Sequence, residues 1–383
     1  MSATVPKLRF AGFDGAWKAT KLAEKFDHIR NGFVGTATPY YVERGVKYLQ
    51  GKNIKEGEID SRGLIHISEQ FHKSKRKSAL KAGDLLMVQS GHVGECAVVG
   101  EGFEGANCHA LIILTPRTGV SSEFCKSYFY SPSGLRQINK IKTGNTIEHI
   151  LASEMAILQM DLPTLPEQQK IAAFLGAVDS KLAALRRKQA GLERFKAGLM
   201  QRLFSQKLRF TRDDGSAFPD WQQKRLGDIL TVRYGKDHKA LSDGDIPVYG
   251  TGGIMRKVDQ ALYHGPSILI GRKGTINKPM LVDGAFWTVD TLFYTEINAA
   301  FIPRLVFAVV ERVNWLELNE ATGVPSLNSN GISSVKVCVP SHPDEQRKIA
   351  DALTALDAKI TATRAQITKT ERFKQGLLQQ MFV

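Results

Sequence analysis

Two glycine-containing turns carry side chains and backbone groups that suit contact with a nucleic acid. Each follows an apolar run: one turn spans 90–94 after Asp84–Val88, and the other spans 271–275 after Ser267–Ile270. Glycine lets the backbone approach another surface closely, so exposed N–H groups can meet phosphate and polar side chains can meet base edges. A plain hairpin turn is the alternative, and recurrence of the pattern keeps both interpretations open. The candidate DNA-contacting residues are Ser90, Gly91, His92 and Gly94 in the first turn and Arg272, Lys273, Gly274 and Thr275 in the second.

The net charge of +14 favours a polyanionic partner, because Lys and Arg that neutralise phosphates supply most non-specific affinity for nucleic acids. A soluble surface that is merely basic is the alternative. The positions favour binding, since many cations lie in turn-rich sequence outside the long helices considered below. The candidates are Lys47, Lys52, Lys73, Lys75, Arg76 and Lys77 in the first half, and Arg233, Lys236, His238 and Arg256 in the second.

Two further glycine-rich loops combine polar or aromatic residues with tight turns. One lies at 142–146 and has a counterpart at 321–325, and the other lies at 247–253. Such loops either punctuate the fold or contact phosphate and bases. The candidates are Lys142, Thr143 and Asn145 in the first loop and Tyr249, Gly250, Thr251 and Gly252 in the other.

No familiar catalytic motif occurs in the sequence. We find no G-x-x-x-x-G-K-[ST] loop, no G-x-G-x-x-G after a strand, no [DN]-P-P-[FYW] tetrapeptide, no H-E-x-x-H and no zinc-type Cys/His spacing. We therefore expect no catalytic residue, metal or cofactor in this chain; a self-contained DNA methyltransferase or nuclease is the enzyme alternative. The four cysteines have no disulfide-framework spacing, and the apolar runs are too short to span a bilayer. We expect reduced thiols, a cytoplasmic location and no membrane association.

One block of sequence occurs twice, 178 residues apart and without a gap. Copy one begins at Glu167 and copy two at Glu345, and 19 of 38 aligned positions are identical. Apolar residues recur at steps of three and four, a period near 3.5 that is typical of a coiled coil. The expected seam residues are Ile171, Leu175, Val178, Leu182, Leu185, Gln189 and Leu192 in copy one, and Ile349, Leu353, Leu356, Ile360, Thr363, Ile367 and Thr370 in copy two.

The repeat predicts two rod-like helices that pair with each other. At ~1.5 Å per residue, 38 residues give a rod of about 57 Å. Glu167 and Glu345 would place negative charge in the first helical turn, which the helix dipole favours. A chain that runs module, rod, module, rod brings its rods together most simply as an antiparallel pair, with the modules at opposite ends. Two independent surface helices are the alternative.

The segments before the two rods also resemble each other. Each begins with Lys-Leu-Arg-Phe, at 7–10 and 207–210, followed by a tryptophan, Trp17 or Trp221, which we expect to anchor the core. Strand, glycine turn, strand, helical stretch, glycine loop and strand then recur in order, with the helical stretches predicted over Glu123–Ile141 and Phe301–Leu318. Short strands mixed with one or two helices indicate a small α/β module.

These features together resemble the specificity (S) subunit of a type I restriction–modification system, over essentially the whole chain. The resemblance rests on the two Glu-Gln-x-Lys-Ile-Ala…Glu-Arg-Phe-Lys-x-Gly-Leu rods, the Trp-x4-Leu module starts and the Thr-Gly turns before each rod. It implies two target-recognition domains, each recognising one half of a gapped double-stranded DNA site. It also implies helices that set the spacing and dock two methyltransferase (M) subunits, with motor-nuclease (R) subunits added for cleavage. S-adenosylmethionine then belongs to M, and ATP and Mg²⁺ belong to R.

The expected fold is α/β, with two small target-recognition domains joined by two long helices in an antiparallel coiled coil and an internal pseudo-twofold repeat. The expected boundaries are 1–162 for the first domain, 163–206 for the first helical region, 207–340 for the second domain with a leading linker, and 341–383 for the second helical region. A coiled-coil scaffold with two protein- or carbohydrate-binding modules is the non-DNA alternative.

Overall fold

The computed structural model describes residues 5–144 and 146–383. The chain divides into two compact units, and the division falls inside both long helices. The first unit extends to Arg186 and includes Ala365–Val383, and the second comprises Arg187–Arg364.

The first unit is built around an antiparallel four-stranded sheet. Its strands, in spatial order, are Phe26–Asn31, Leu111–Pro116, Leu85–Val88 and Cys96–Val98. Leu85–Val88 is buried at every position, as expected of a strand covered on both faces. A second sheet has the order Asn107–Cys108, Val46–Leu49, Ile65–Ile67, Tyr41–Val42. Two strand pairs complete the unit, Lys18–Lys21 with Gln159–Leu162 and Ile54–Lys55 with Glu58–Ile59.

Short helices connect these strands. The α-helices are Leu22–Lys25, Glu69–Ser74, Ser122–Phe129, Pro132–Ile141 and Ala152–Ile157, and the 3₁₀ turns are Thr38–Tyr40, Gly51–Asn53, Arg76–Ser78 and Glu101–Phe103. The sequence predicted a single helical stretch over 123–141. The structure breaks it, because Pro132 begins a new helix that Ser131 caps by accepting a hydrogen bond from the Gly134 N–H at 3.2 Å.

The second unit repeats this architecture. Its main antiparallel sheet has the order Leu230–Tyr234, Leu292–Ile297, Ser267–Gly271, Met280–Val282, and its second sheet the order Gly253–Val258, Asp243–Gly250, Ala285–Thr288, Tyr263–His264. Gln222–Arg225 pairs with Lys336–Val339. The helical segments are Leu226–Ile229, Pro303–Val310, Ser329–Ser334 and the 3₁₀ turn Trp315–Leu318.

The two modules therefore share a topology, as the sequence predicted. The predicted strands before and after each glycine turn are present, and Trp17 and Trp221 are both buried. The sequence did not predict the second sheet of each unit or the short helices Ala152–Ile157 and Ser329–Ser334. These elements are only two to eight residues long, too short for a periodic apolar pattern to emerge.

The repeated block forms two long helices, Leu165–Phe204 and Pro343–Met381, called the first and second long helix below. All seven expected seam residues of the second long helix are buried. In the first, Ile171, Leu175, Val178 and Leu182 are buried, and the other three seam positions are half-buried. The coiled-coil prediction is confirmed.

Ion pairs show that the helices run antiparallel within each unit. In the first unit Lys374 pairs with Asp179 at 2.5 Å and Arg186 with Glu371 at 2.8 Å. In the second unit the repeat-equivalent residues make the same pairs: Lys196 with Asp357 at 2.7 Å and Arg364 with Glu193 at 2.6 Å. Residue numbers rise along one helix as they fall along the other, so the predicted direction is correct. The placement of modules at opposite ends and the domain boundaries stay predictions.

The glutamates at the helix starts do more than interact with the helix dipole. Glu167 and Glu345 are buried, and each accepts two hydrogen bonds from an arginine of a Lys-Leu-Arg-Phe segment. Arg9 donates to Glu167 at 2.6 and 2.7 Å, and Arg209 donates to Glu345 at 3.0 and 2.9 Å. These bidentate pairs attach the Lys-Leu-Arg-Phe segment at the beginning of each module to the start of a long helix.

Candidate nucleic-acid interface

In the first unit the structure brings the glycine turn and the predicted glycine loop together. The turn at 90–94 lies in the hairpin between Leu85–Val88 and Cys96–Val98. Ser90 and Thr143 each form a β-bridge with His149, and the Gly91 N–H donates to the Glu148 carbonyl at 3.1 Å. Gly91 has φ +84°, a conformation that favours glycine. Ser90, Gly91, His92 and Thr143 are exposed and form one polar edge, whereas the predicted contact Gly94 is buried.

Lys52 lies beside this edge. The preceding residue, Gly51, is so close to the hairpin that an added Cβ would lie 3.3 Å from a Val88 methyl and 3.9 Å from the Ser90 carbonyl. The side chain of Lys52 itself is exposed. The backbone directly before Lys52 therefore lies against the hairpin that carries the turn.

The basic segment at 73–77 is not a loop but runs from the end of the helix Glu69–Ser74 into the 3₁₀ turn Arg76–Ser78, and two hydrogen bonds fix its backbone. Arg30 donates to the Lys77 carbonyl at 2.8 Å, and the Asn107 amide donates to the Lys75 carbonyl at 3.1 Å. These bonds fix the backbone, and the side chains of Lys73, Arg76 and Lys77 are exposed. Lys75 instead lies over the Phe33 ring, with its Nζ 5.3 Å from the centroid.

Two predicted cations of this unit have internal partners. Lys47 donates to the Gly102 carbonyl at 2.7 Å and lies over the Phe103 ring. Lys142 pairs with Glu148 at 2.9 Å. Both remain candidate contacts, but DNA would have to compete with an existing interaction.

In the second unit, Arg272 and Lys273 differ in their surroundings. The Arg272 guanidinium lies 5.4 Å from the Tyr234 ring centroid and donates to the Asp290 carbonyl at 3.2 Å. Lys273 is exposed and has no ion-pair partner among residues 5–144 and 146–383. The Gly274 N–H donates to the Pro325 carbonyl at 2.9 Å, so this glycine turn also meets the loop that precedes a long helix.

Several other predicted residues of this unit lie next to the segment Thr288–Thr291. The Lys236 N–H donates to the Thr288 carbonyl at 2.9 Å, and the Val289 N–H donates to the Tyr249 carbonyl at 3.1 Å. The Arg272 N–H donates to the Thr291 carbonyl at 2.8 Å. Lys236, Tyr249 and the turn at 271–275 therefore lie around one loop, although they are distant in sequence.

Two arginines of the second unit are neutralised internally. Arg233 pairs with Glu296 at 2.9 Å, and Arg256 pairs with Asp243 at 2.7 Å. Gly250 is buried and Thr251 half-buried at the hairpin between Asp243–Gly250 and Gly253–Val258, where Gly252 is exposed. His238 is half-buried. Asn145 lies outside the described residues, and DNA contact by each predicted residue stays a prediction.

Sequence reasoning missed Tyr234. Its side chain is 51% exposed, its hydroxyl is 3.1 Å from the Ser329 Oγ, and its ring supports Arg272. An exposed aromatic ring beside a guanidinium is a suitable surface for a nucleic-acid base. The available signal was an aromatic residue directly before Gly235 at the end of a strand.

The structure also gives the burial of the thiols and the grouping of side chains that could bind a metal ion. Cys96, Cys108 and Cys125 are buried, whereas Cys338 is exposed; burial raises the pKa of the Cys108 thiol to about 12. Within residues 5–144 and 146–383, no group of three or more His, Cys, Asp or Glu side chains could hold a metal ion. No helix in that same part of the chain is long and apolar enough to cross a membrane.

Two similar modules, each joined to a coiled-coil helix and each presenting a polar edge, define a duplicated binding protein. The chain belongs to the family described as type I restriction modification DNA specificity domain, whose model matches residues 16–194 and 219–372. The two matches together cover most of both modules and most of each long helix.

Individual relatives agree with this assignment. The chain is 20% identical to the type I restriction enzyme MjaVIII specificity subunit of Methanocaldococcus jannaschii, over 94% of this chain and 91% of that one. It is 26% identical to the StySPI specificity subunit of Salmonella potsdam, over 50% and 44% of the two chains. Its fold is similar to that of a type I restriction–modification S subunit from M. genitalium, with a TM-score of 0.70, 17% identity and 99% coverage of both chains.

Proposed function

We propose that this chain is the non-catalytic, DNA-binding specificity subunit of a type I restriction–modification complex. The observation that carries the proposal is the duplicated module within a family of DNA specificity domains. Each module would recognise one half of a gapped site in double-stranded DNA. The exposed residues Ser90–His92 with Thr143 and His149, and Lys273–Thr275 with Tyr234, form the surfaces we assign to recognition. A scaffold with protein- or carbohydrate-binding modules is not favoured, because the relatives are named as specificity subunits.

The partners would supply the chemistry. Two methyltransferase subunits would dock on this chain and bind S-adenosylmethionine, and motor-nuclease subunits would bind ATP and Mg²⁺. A solved structure with a similar fold, described as bearing on complex assembly of the type I restriction–modification system, has a TM-score of 0.55. We assign no cofactor to this chain.

The decisive experiment is sequencing of methylated sites in a host that expresses this chain with its methyltransferase subunit. We expect one bipartite motif, with two defined halves separated by a fixed gap. In a companion binding assay, affinity for that site should fall steeply with salt, because phosphate neutralisation releases counterions. Methylation without this chain, or salt-independent binding, would contradict the proposal.

The helices would set the gap. Deleting one heptad from each, Leu185–Gly191 with the repeat-equivalent Thr363–Lys369, keeps the seam phase and shortens each helix by about 10 Å. That equals about 3 base pairs at ~3.4 Å each. We expect a site with a shorter gap or a loss of methylation, because the modules would also rotate about the helix axis. Unchanged methylation of the original motif would show that the helices do not set the distance.

A further inference from the structure

Both ends of the loop at 143–149, called the first loop below, are held by backbone hydrogen bonds. The Thr143 N–H donates to the His149 carbonyl at 2.9 Å and closes the loop. The Gly91 N–H donates to the Glu148 carbonyl at 3.1 Å, so the loop is attached to the glycine turn of its module. Ile150, directly after the loop, is buried and anchors it in the core.

The loop at 320–326 of the second module, called the second loop, is held in the same way. The Glu320 N–H donates to the Ser326 carbonyl at 3.3 Å and closes this loop. The Gly274 N–H donates to the Pro325 carbonyl at 2.9 Å, which attaches the loop to the second glycine turn. Leu327, directly after the loop, is buried. The two loops therefore correspond residue by residue.

This correspondence makes Ile147 and Val324 equivalent. Each directly precedes the residue whose carbonyl accepts a hydrogen bond from the glycine turn. Ile147 is 63% exposed and Val324 is 66% exposed, so each is among the most exposed large apolar side chains of its module. The sequence aligns the loops through their Thr-Gly pairs, at 143–144 and 322–323, which sets Ile147 opposite Ser326. The hydrogen bonds correct this alignment.

The recurrence of an exposed aliphatic residue at this position has no counterpart in the residues around it. A single exposed aliphatic side chain is ordinary on a protein surface. The neighbours in the two loops differ, however: Thr146 and Glu148 of the first loop are replaced by Gly323 and Pro325 in the second. The feature that the two modules share at this place is therefore the exposed aliphatic group itself.

The surroundings of both side chains suit a DNA duplex better than an apolar protein surface. The turn attached to the first loop presents the exposed residue His92, and the turn attached to the second presents Lys273. The Glu148 carboxylate beside Ile147 is neutralised by Lys142 at 2.9 Å. An aliphatic side chain among polar and basic groups is the arrangement of proteins that insert a side chain between base pairs while neighbouring groups contact phosphates.

We propose that Ile147 and Val324 are wedges, each of which inserts between two neighbouring base pairs beside its half-site and bends the duplex there. Opening a step costs unstacking energy, and pyrimidine–purine steps open most easily. The wedges would therefore add a sequence preference at a step that no side chain reads by hydrogen bonds. The glycine turns have to differ if the half-sites differ, whereas a wedge can be alike in both modules because every step is stacked. This inference rests on the proposed function and adds two residues to its recognition surfaces.

The test uses the full-length chain in complex with its methyltransferase subunit, and duplexes that carry the methylated motif. A fluorescent adenine analogue that brightens when it is unstacked is placed at one step at a time in and around each half-site. The methylated base keeps its natural form, because a methyltransferase that flips its target would also give a signal. We expect one bright step beside each half-site.

Ile147→Ala should abolish the signal beside one half-site, and Val324→Ala the signal beside the other. Each change should weaken binding to the motif by roughly 10-fold, because two or three carbon atoms no longer leave water on binding. Ile147→Leu and Val324→Ile keep an aliphatic side chain and should keep the signal. Ile157→Ala and Leu316→Ala are matched controls, since these side chains are 65% and 59% exposed in the same two modules but lie outside the loops.

A rescue experiment separates unstacking from simple contact. A duplex with one mismatched pair at the bright step is already easier to open. It should therefore restore most of the affinity that Ile147→Ala loses on the fully paired duplex. Sequencing of methylated sites should also show that this variant has a weaker preference for a pyrimidine–purine step at that position.

Each outcome decides between the two ideas. If the unmodified complex methylates its motif but no step brightens, or the alanine variants keep signal and affinity, the wedges are wrong and the proposed function stands. If the mismatched duplex restores nothing, the side chains contact DNA without unstacking it, and the inference is overturned. It is also overturned if native mass spectrometry shows that the variants lose the methyltransferase subunit. If the unmodified complex neither binds DNA nor directs methylation, the proposed function itself fails.

Discussion

Removal of Arg209 should destabilise the second unit more than removal of the charge on its partner Glu345. The Glu345 carboxylate is fully buried, with 0% side-chain exposure. It accepts two hydrogen bonds from Arg209 at 3.0 and 2.9 Å, and one from the Trp221 indole N–H at 3.1 Å. In Arg209→Met the carboxylate would keep only the indole. Leaving a buried charge without its partner costs ~3–5 kcal/mol.

Removing the glutamate charge instead should cost less, because the arginine that is left keeps other partners. In Glu345→Gln, Arg209 would still donate to the Pro219 carbonyl at 2.6 Å and lie 3.6 Å from Asp220, and it is 22% exposed to water. We expect a loss of ~1.5–3 kcal/mol, the size of a hydrogen bond to a charged group. Arg209→Met combined with Glu345→Leu should cost less than the sum of the single changes, because no unpaired buried charge remains.

Urea unfolding would measure this order, with tryptophan fluorescence as the first probe and circular dichroism as the second. Trp221 contacts the carboxylate directly and therefore reports on this site. Arg347→Met is the matched control: Arg347 lies 3.8 Å from Asp344, is exposed, and should change stability by less than about 1 kcal/mol. Equal losses for Arg209→Met and Glu345→Gln, or a loss for Arg209→Met no larger than the control's, would refute the reasoning.

Three further outcomes follow from the described contacts. Lys273→Ala should weaken binding to all DNA sequences alike and reduce the slope of log affinity against log salt concentration by ~0.9. Arg272→Ala should instead change which sites are methylated. The reversed pattern would mean that Arg272 contacts phosphate and Lys273 contacts a base. A thiol reagent should modify Cys338 quickly and the other three cysteines only on unfolding, because they are buried; rapid reaction of two or more thiols would contradict this burial. Burial lowers the pKa of His109, so the unfolded chain takes up its proton first as the pH falls below about 6.5. Stability of the first unit should therefore decrease between pH 7.5 and pH 5.5, and less so in His109→Gln; an equal decrease in both would show that His109 is not responsible.

The sequence was sufficient for the parts of the fold that repeat or have a long period. A gap-free match over 38 residues and a seam near 3.5 residues per turn gave two helices and their pairing. The direction of pairing followed from chain connectivity, and the ion pairs within each unit agree with it. The second sheets were not predictable in this way, because strands such as Tyr41–Val42 and Tyr263–His264 have two residues each.

The candidate site could be predicted only in part. Glycine turns in the sequence located the two polar edges, since tight turns between strands are local features. The internal partners of Arg233 and Arg256 come from residues 63 and 13 positions away, and no local pattern distinguishes them from free cations. Tyr234 was missed for the same reason, because its importance depends on Arg272, which the fold brings to it from the turn after another strand.

The matched ion pairs of the long helices make the repeat self-complementary. Asp179 and Lys196 belong to the first copy. Asp179 pairs with Lys374, the second copy's equivalent of Lys196, and Lys196 pairs with Asp357, the second copy's equivalent of Asp179. A half-length chain with one module and one helix would therefore carry both members of every such pair. Two half-length chains have the complementary groups needed to associate as an isologous homodimer. Fusion into a single polypeptide removes the requirement that both modules be identical, so each could diverge to a different DNA half-site while the helices stayed constrained to match.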